Sequence, residues 1–311
     1  MKTQCRRKYT IFHDIIRNRA SYLMGLPAIL YALIFGYFTY PYMIIAFQKF
    51  NYRTGLLNSE FVGFKNFEFF FRSSQVFTIT LNTIWLNLLF ITFTTLAALA
   101  LALMFNELRN RYFIRINQAM IMFPNYLSWV VVSFMIYSLF STNYGLINQI
   151  LSVLGSKPIA WYNNADYWPA ILTIMRVWKG AGINSVIYMA TIAGIDSTYV
   201  EAAVIDGAKR WQICRYITLP LLMPTVSILT LLSIGGILYG DFGMIYAIVG
   251  DNGILLRTTD VIDTYVFRAL RRIGDPSNAM AIGLFQSLVG FIMVYGSNAL
   301  AKKLNPDAAL Y

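Results

Sequence analysis

Hydrophobic positions in this chain do not alternate with polar ones; they run on. Between one ionisable residue and the next lie uncharged stretches of 29 residues (20–48), 34 (73–106), 41 (116–156), 25 (216–240) and 26 (276–301). A helix rises about 1.5 Å per residue, so roughly 20 apolar residues cross the hydrocarbon core of a bilayer. Each stretch is long enough for one crossing. A sixth apolar segment, 167–195, is interrupted by Arg176 and Lys179 and is read as a span with two charges to explain. The pattern predicts an all-α polytopic membrane protein with six transmembrane helices.

Composition excludes the soluble alternatives. Of 311 residues, 58% are hydrophobic and only 13% charged, half the charged share of an ordinary soluble domain. Lys and Arg number 25 against 14 Asp and Glu, for a formal charge of +11. Such an excess can mark a nucleic-acid surface, but here its placement follows the membrane. With the amino terminus inside, 14 of the basic residues fall in the 64 residues of segments 1–21, 106–115, 196–218 and 302–311. Nine fall in the 85 residues of 48–77, 141–166 and 250–278. The inner density is the higher, as the positive-inside rule requires. The expected organisation is a basic cytoplasmic segment, 1–21, suited to anionic lipid, a six-helix body, 22–301, and a cytoplasmic tail, 302–311. The first apolar stretch is too long for a cleaved signal peptide and reads as an uncleaved span. Both ends are expected on the inner side of a bacterial cytoplasmic membrane.

Catalytic chemistry finds no footing in the sequence. Cys5 and Cys214 fall in segments assigned to the reducing cytoplasm, and His13 is the only histidine, so neither a disulfide nor a zinc site has support. Gly155-Ser156-Lys157 lacks the first glycine of a phosphate-binding loop. Asp251, Asp260, Asp263 and Asp275 are scattered through the outer loops and read as solvated charges. The chain is expected to be no enzyme and to bind no cofactor of its own.

The most informative inner segment is DSTYVEAAVIDGAKRWQICRYITLPLLMP, 196–224. Thr198 and Glu201 have capping-box spacing at a helix start. Gly207 suits a left-handed helix end. A second helix, 208–216, is expected to follow and to be closed by Pro220 and Pro224. The pair forms a compact helix-turn-helix on the cytoplasmic side, a docking surface rather than an active site.

Glu201-Ala202-Ala203, then Asp206-Gly207, Ile217 and Leu219-Pro220, resemble the EAA loop of permease subunits in binding-protein-dependent ABC importers. Residues 59–67 (SEFVGFKNF) and 282–287 (IGLFQS) are similar to phrases of the maltose-permease-like group, in particular its branch for oligosaccharides released from complex polysaccharides. The resemblance implies a type I ABC importer permease fold in which 196–220 carries a coupling helix seated in a cytoplasmic ATPase dimer. It implies a second homologous permease completing the pore, an extracytoplasmic sugar-binding protein, and ATP with Mg on the ATPase. An ABC permease for another solute and, further off, a secondary transporter are the alternatives; the paired broken helices of the latter are not evident.

The resemblance also implies that sugar is contacted by the spans flanking the EAA loop. Arg176, Asn184, Ser233, Tyr239 and Asp241 are the polar groups there and are the candidates for the translocation path. Arg176 and Lys179 could equally anchor helix packing or the carbonyls around Gly180 and Gly182. Gly236 and Gly240 have the spacing of a close helix contact.

Overall fold

The computed structural model describes residues 18–304 except Ser73 and Arg109. Most of the basic amino-terminal segment, with Cys5 and His13, and most of the carboxy-terminal tail lie outside the described residues. The chain begins with a long helix, α1 (Arg19–Phe47). A loop carrying a two-residue antiparallel ladder, β1 (Gln48–Lys49) with β2 (Glu60–Phe61), follows; it is a small departure from an all-α chain. Then come α2 (Lys65–Arg72), α3 (Ser74–Glu107), α4 (Arg111–Tyr126), α5 (Trp129–Phe140), α6 (Leu146–Val153) and α7 (Trp168–Ala193). Beyond these lie α8 (Ser197–Ile205), α9 (Arg210–Gly235), α10 (Phe242–Val249), α11 (Leu256–Thr259), α12 (Ile262–Arg268) and α13 (Pro276–Leu304).

Among the described residues, α1, α3, α9 and α13 are long and apolar enough to cross a membrane, and the pair α4–α5 makes a fifth candidate if it is one broken span. The 41-residue uncharged run therefore does not form a straight crossing. It divides into α4 and α5, whose axes differ by 96°, and the amphipathic α6. Local chemistry explains the break. Pro124 removes a backbone donor from the last turn of α4. Leu127 and Ser128 are extended, and the Ser128 hydroxyl accepts from Val131 N at 3.3 Å to start α5. α7 has the length of a span at 26 residues, but Arg176, Lys179 and Asn184 make it less apolar than the other four.

α3 and α7 form the most extensive helix pair and organise the core. One cluster joins Leu86 and Phe90 of α3 to Trp168 and Leu172 of α7, Val132 and Ile136 of α5, and Met244 and Ile245 of α10. A second joins Ala98 and Ala102 to Ala181, Tyr188, Leu222 and Val226, drawing α9 against the same pair. Gly182 lets α7 approach the backbone of α4 at Ile121, where a Cβ would collide with the Ile121 carbonyl. α1 is almost wholly exposed; only its last turns are buried, at Ile45 and Ala46, where the helix packs on α13.

The acids that the sequence assigns to outer loops are not free solvated charges. Asp260 is 3% exposed and pairs with Arg268 while accepting from the Thr264 hydroxyl. Asp263 accepts from Gly240 N, Asp251 pairs with Arg272, and Asp275 accepts from Asn278 N. In the segment before α7, buried Asn148 donates to the Thr142 and Ile159 carbonyls and accepts from Ile159 N and the Trp161 indole. One amide side chain thus closes a loop of roughly twenty residues.

Candidate functional site

Two places gather the residues singled out by the sequence. The first is a cavity of about 210 Å³ where α9 stops short. α9 ends at Gly235, and the backbone runs as an irregular connector, 236–241, before α10 begins. Backbone that leaves the helix among apolar spans must have its polar groups satisfied by protein, and here side chains from three elements do so. Asn87 of α3 donates to the carbonyls of Ile237 (2.9 Å) and Tyr239 (3.1 Å). Gln286 of α13 donates to the Leu238 carbonyl at 2.9 Å. Asp263 accepts from Gly240 N at 2.5 Å. Gly240 is required by proximity, since a Cβ there would meet Val261 and Asp263. The expected small-residue helix contact is not made, because Gly236 and Gly240 both lie past the end of α9 rather than on one helical face.

Arg176, Asn184, Ser233 and Tyr239 all line this cavity, with Asn87, Thr94 and Thr95 of α3 on the facing wall. Asp241 stands behind it: its Oδ2 accepts from Arg176 Nη1 at 2.5 Å, and its Oδ1 caps α10 by accepting from Met244 N at 3.0 Å. The Tyr239 and Ser287 hydroxyls are 3.0 Å apart. Four of the five sequence-selected residues therefore line one polar space, and the fifth, Asp241, is the partner of Arg176. The α3 contribution was missed. Its signal was there in principle: Thr80, Thr83, Asn87 and Thr94 recur at helical spacing within the uncharged run, a polar stripe on an apolar helix.

Lys179 has a separate job. Its ammonium donates to the carbonyls of Asn125 (2.8 Å) and Leu127 (2.7 Å) and sits 5.1 Å from the Trp129 ring centre. It caps the broken end of α4 rather than the carbonyls around Gly180 and Gly182. A cation at a helix C-terminus satisfies both the orphan carbonyls and the dipole.

The second place is the segment between α7 and α9. The start of α8 is capped by Asp196, which accepts from Thr198 N at 3.0 Å, so the cap lies two residues before the expected Thr198. These hydrogen bonds hold the Asp196 carboxyl below the usual carboxylate range. α8 ends in a Schellman arrangement: Ala208 N donates to Ala203 O (2.9 Å), Gly207 N to Val204 O (3.0 Å), and Gly207 has φ +77°. Glu201, Ala202, Asp206 and Gly207 are exposed, and Ala203 is half-buried. No residue of α8 is buried; Tyr199 and Val204 are each 58% exposed and Ile205 86%. The second helix does not stop at the prolines. It starts at Arg210, passes through a π-helical turn, Cys214–Thr218, which contains Ile217, and continues through Leu219 and Pro220 as the body of α9. Pro220 falls in the first turn of the α-helical stretch that follows the π turn, the place in a helix where a missing N–H is best tolerated. Arg210 anchors this start to the end of α3 through Glu107 at 3.0 Å.

A helical membrane body with a polar cavity at a broken helix and a short exposed helix between two spans describes a transport subunit. Residues 91–306 match the family described as binding-protein-dependent transport system inner membrane component, and the chain belongs to that family. It is a multi-pass permease of ABC importers and not a catalytic subunit. Two proteins of Bacillus subtilis (strain 168) are each 33% identical to it: LplB over 291 residues, covering 94% of this chain and 91% of its own, and YteP over 293 residues with the same coverages. YteP is named as a polygalacturonan/rhamnogalacturonan transport system permease. A bacterial ABC transporter involved in importing the acidic polysaccharide alginate aligns with a TM-score of 0.86 and 29% identity, over 94% of this chain and 99% of that one. That transporter has also been crystallised with an alginate pentasaccharide-bound periplasmic protein.

Proposed function

We propose that this chain forms half of the translocation pore of an ATP-driven oligosaccharide importer and takes its stroke from a cytoplasmic ATPase through α8. The single observation that carries the coupling is the state of the EAA segment: a short, largely exposed helix, capped at both ends, held between two long membrane helices. Apolar side chains such as Val204 and Ile205 on an exposed inner helix suit burial in a protein partner. The run from the turn at Gly207 through Arg210 into α9 gives a displacement of α8 a path to the cavity, because Ser233 in the last turn of α9 lies on the cavity wall.

The oligosaccharide cargo is supported by the named cargo of the relatives and by the cavity itself, where amides, hydroxyls and a guanidinium surround an open space beside Phe90 and Tyr239. Hydrogen-bonding groups with an aromatic face suit a sugar ring. In this reading α7 and the bent pair α4–α5 complete six crossings, with both ends cytoplasmic. The other subunits are a homologous permease, an ATPase dimer holding ATP and Mg, and an external sugar-binding protein. This chain needs no cofactor.

The test is Gly207→Val. Valine in a left-handed turn costs about 1–2 kcal/mol or more, enough to disturb the end of α8 without touching the membrane body. Membrane levels and co-purification with the second permease should match wild type, while sugar-stimulated ATP hydrolysis and uptake fall together. Wild-type coupling in Gly207→Val would sink the proposed role of α8.

A further inference from the structure

Arg176 is the one charged side chain on the cavity wall. Its guanidinium carries five N–H donors, and only Nη1 is engaged, by Asp241. The acids nearby are committed elsewhere. Asp241 is pinned by its cap on Met244 N, and Asp263 Oδ2 holds Gly240 N and lies 3.5 Å from Gln286 Nε2. Lys179, one turn along α7, is spent on the carbonyls of Asn125 and Leu127. The cation therefore faces the space with spare donors, while the carboxylates are tied up behind it. Thr94 also lines the space, but its hydroxyl oxygen is buried from solvent and has no hydrogen-bond partner among the described residues. The accessible charged feature of this small cavity is therefore the guanidinium of Arg176.

We propose that this cavity selects a uronate: one carboxylate-bearing sugar unit of an oligosaccharide, its carboxylate taken by the free N–H donors of Arg176. The planar guanidinium matches a carboxylate with two parallel hydrogen bonds, and a neutral sugar would leave those donors without their best partner. At about 210 Å³ the space is below the roughly 300–1,000 Å³ of sites for drug-sized ligands, so it takes a chain one unit at a time. The proposal rests on the oligosaccharide-permease reading and names the class of sugar.

The experiment uses the full transporter in proteoliposomes, with trigalacturonate, its methyl ester and neutral maltotriose as probes and stimulated ATP hydrolysis as the readout. Wild type should respond to the acid more than to the ester. In Arg176→Gln the acid response should fall at least about tenfold further than the ester response, the size expected for losing a charge-assisted pair. Because the same binding protein serves both variants, that change in ratio reports on the permease. Arg176→Lys keeps the charge and the Asp241 pair but loses the fork, and should lie between the two. Equal losses for acid and ester in both variants would assign Arg176 a structural role and overturn the proposal. A wild type that answers maltotriose but not trigalacturonate overturns the uronate and leaves the oligosaccharide reading standing; silence to all three overturns both.

Discussion

At the scale of single residues, the cavity depends on side chains that replace a lost helix. Asn87 satisfies two connector carbonyls and Gln286 a third. Asn87→Leu keeps the volume but leaves the Ile237 and Tyr239 carbonyls unpaired, at about 1–3 kcal/mol per orphaned group. The purified permease complex should melt several degrees lower, and transport should fall although Asn87→Leu leaves α8 intact. Unchanged melting in a thermal-shift measurement would remove Asn87 from this role. Arg176 and Asp241 were legible in the sequence because an ionisable group inside an apolar span needs a reason to be there. Asn87 and Thr94 were not singled out, since an uncharged polar residue in a 34-residue run can bond its own helix, as Asn87 does in part on the Thr83 carbonyl. Only the fold reveals that Asn87 also reaches a distant connector.

At the scale of elements, two helix ends carry the argument. Lys179 holds the broken end of α4 with two charged hydrogen bonds, each worth about 1.5–3 kcal/mol, so Lys179→Met should loosen the 96° junction. A cysteine pair bridging the α4–α5 break in that background should cross-link over a wider range of spacer lengths than in wild type; an unchanged range would show that Pro124 and Ser128 set the bend alone. At α8, Asp196 is the cap, and its carboxyl is lowered in the folded chain. Its contribution is fully present above the ordinary carboxylate range and is lost as pH falls through the lowered value, so the cap is intact at neutral pH. Asp196→Asn, which still accepts from Thr198 N, should couple normally at pH 7, whereas Asp196→Ala should reduce sugar-stimulated ATP hydrolysis severalfold. Equal activities of the two variants would show that capping is irrelevant. The α8 turn was readable because Gly207 and its neighbours obey local rules. The continuation of α9 past Pro220 was not, because a π turn ahead of a proline has no signature in residue spacing. The bend at Leu127 escaped for a similar reason: its stabilising cation comes from a residue more than fifty positions away.

At the scale of the molecule, scarcity of charge revealed a membrane protein but overstated its regularity. Four helices, or five with the bent pair, meet the demands of a span by length and composition. The proposed six crossings would require α7 to carry its charges across, with Arg176 paired to Asp241 and Lys179 held by the Asn125 and Leu127 carbonyls. Nearly bare α1 and the wide apolar face of α3, with Phe77, Trp85 and Phe93 exposed, are the surfaces left for lipid and, in the proposed importer, for a second permease. The most direct test of the whole account is uptake by the reconstituted transporter: this chain, its partner permease, the ATPase and the binding protein in proteoliposomes, supplied with labelled oligosaccharide with and without internal ATP. Uptake that requires both ATP and the binding protein, and that disappears in Gly207→Val while the complex stays assembled, is the expected result. Uptake that persists without ATP, or a complex that hydrolyses ATP in response to an amino acid and ignores every oligosaccharide, would contradict it.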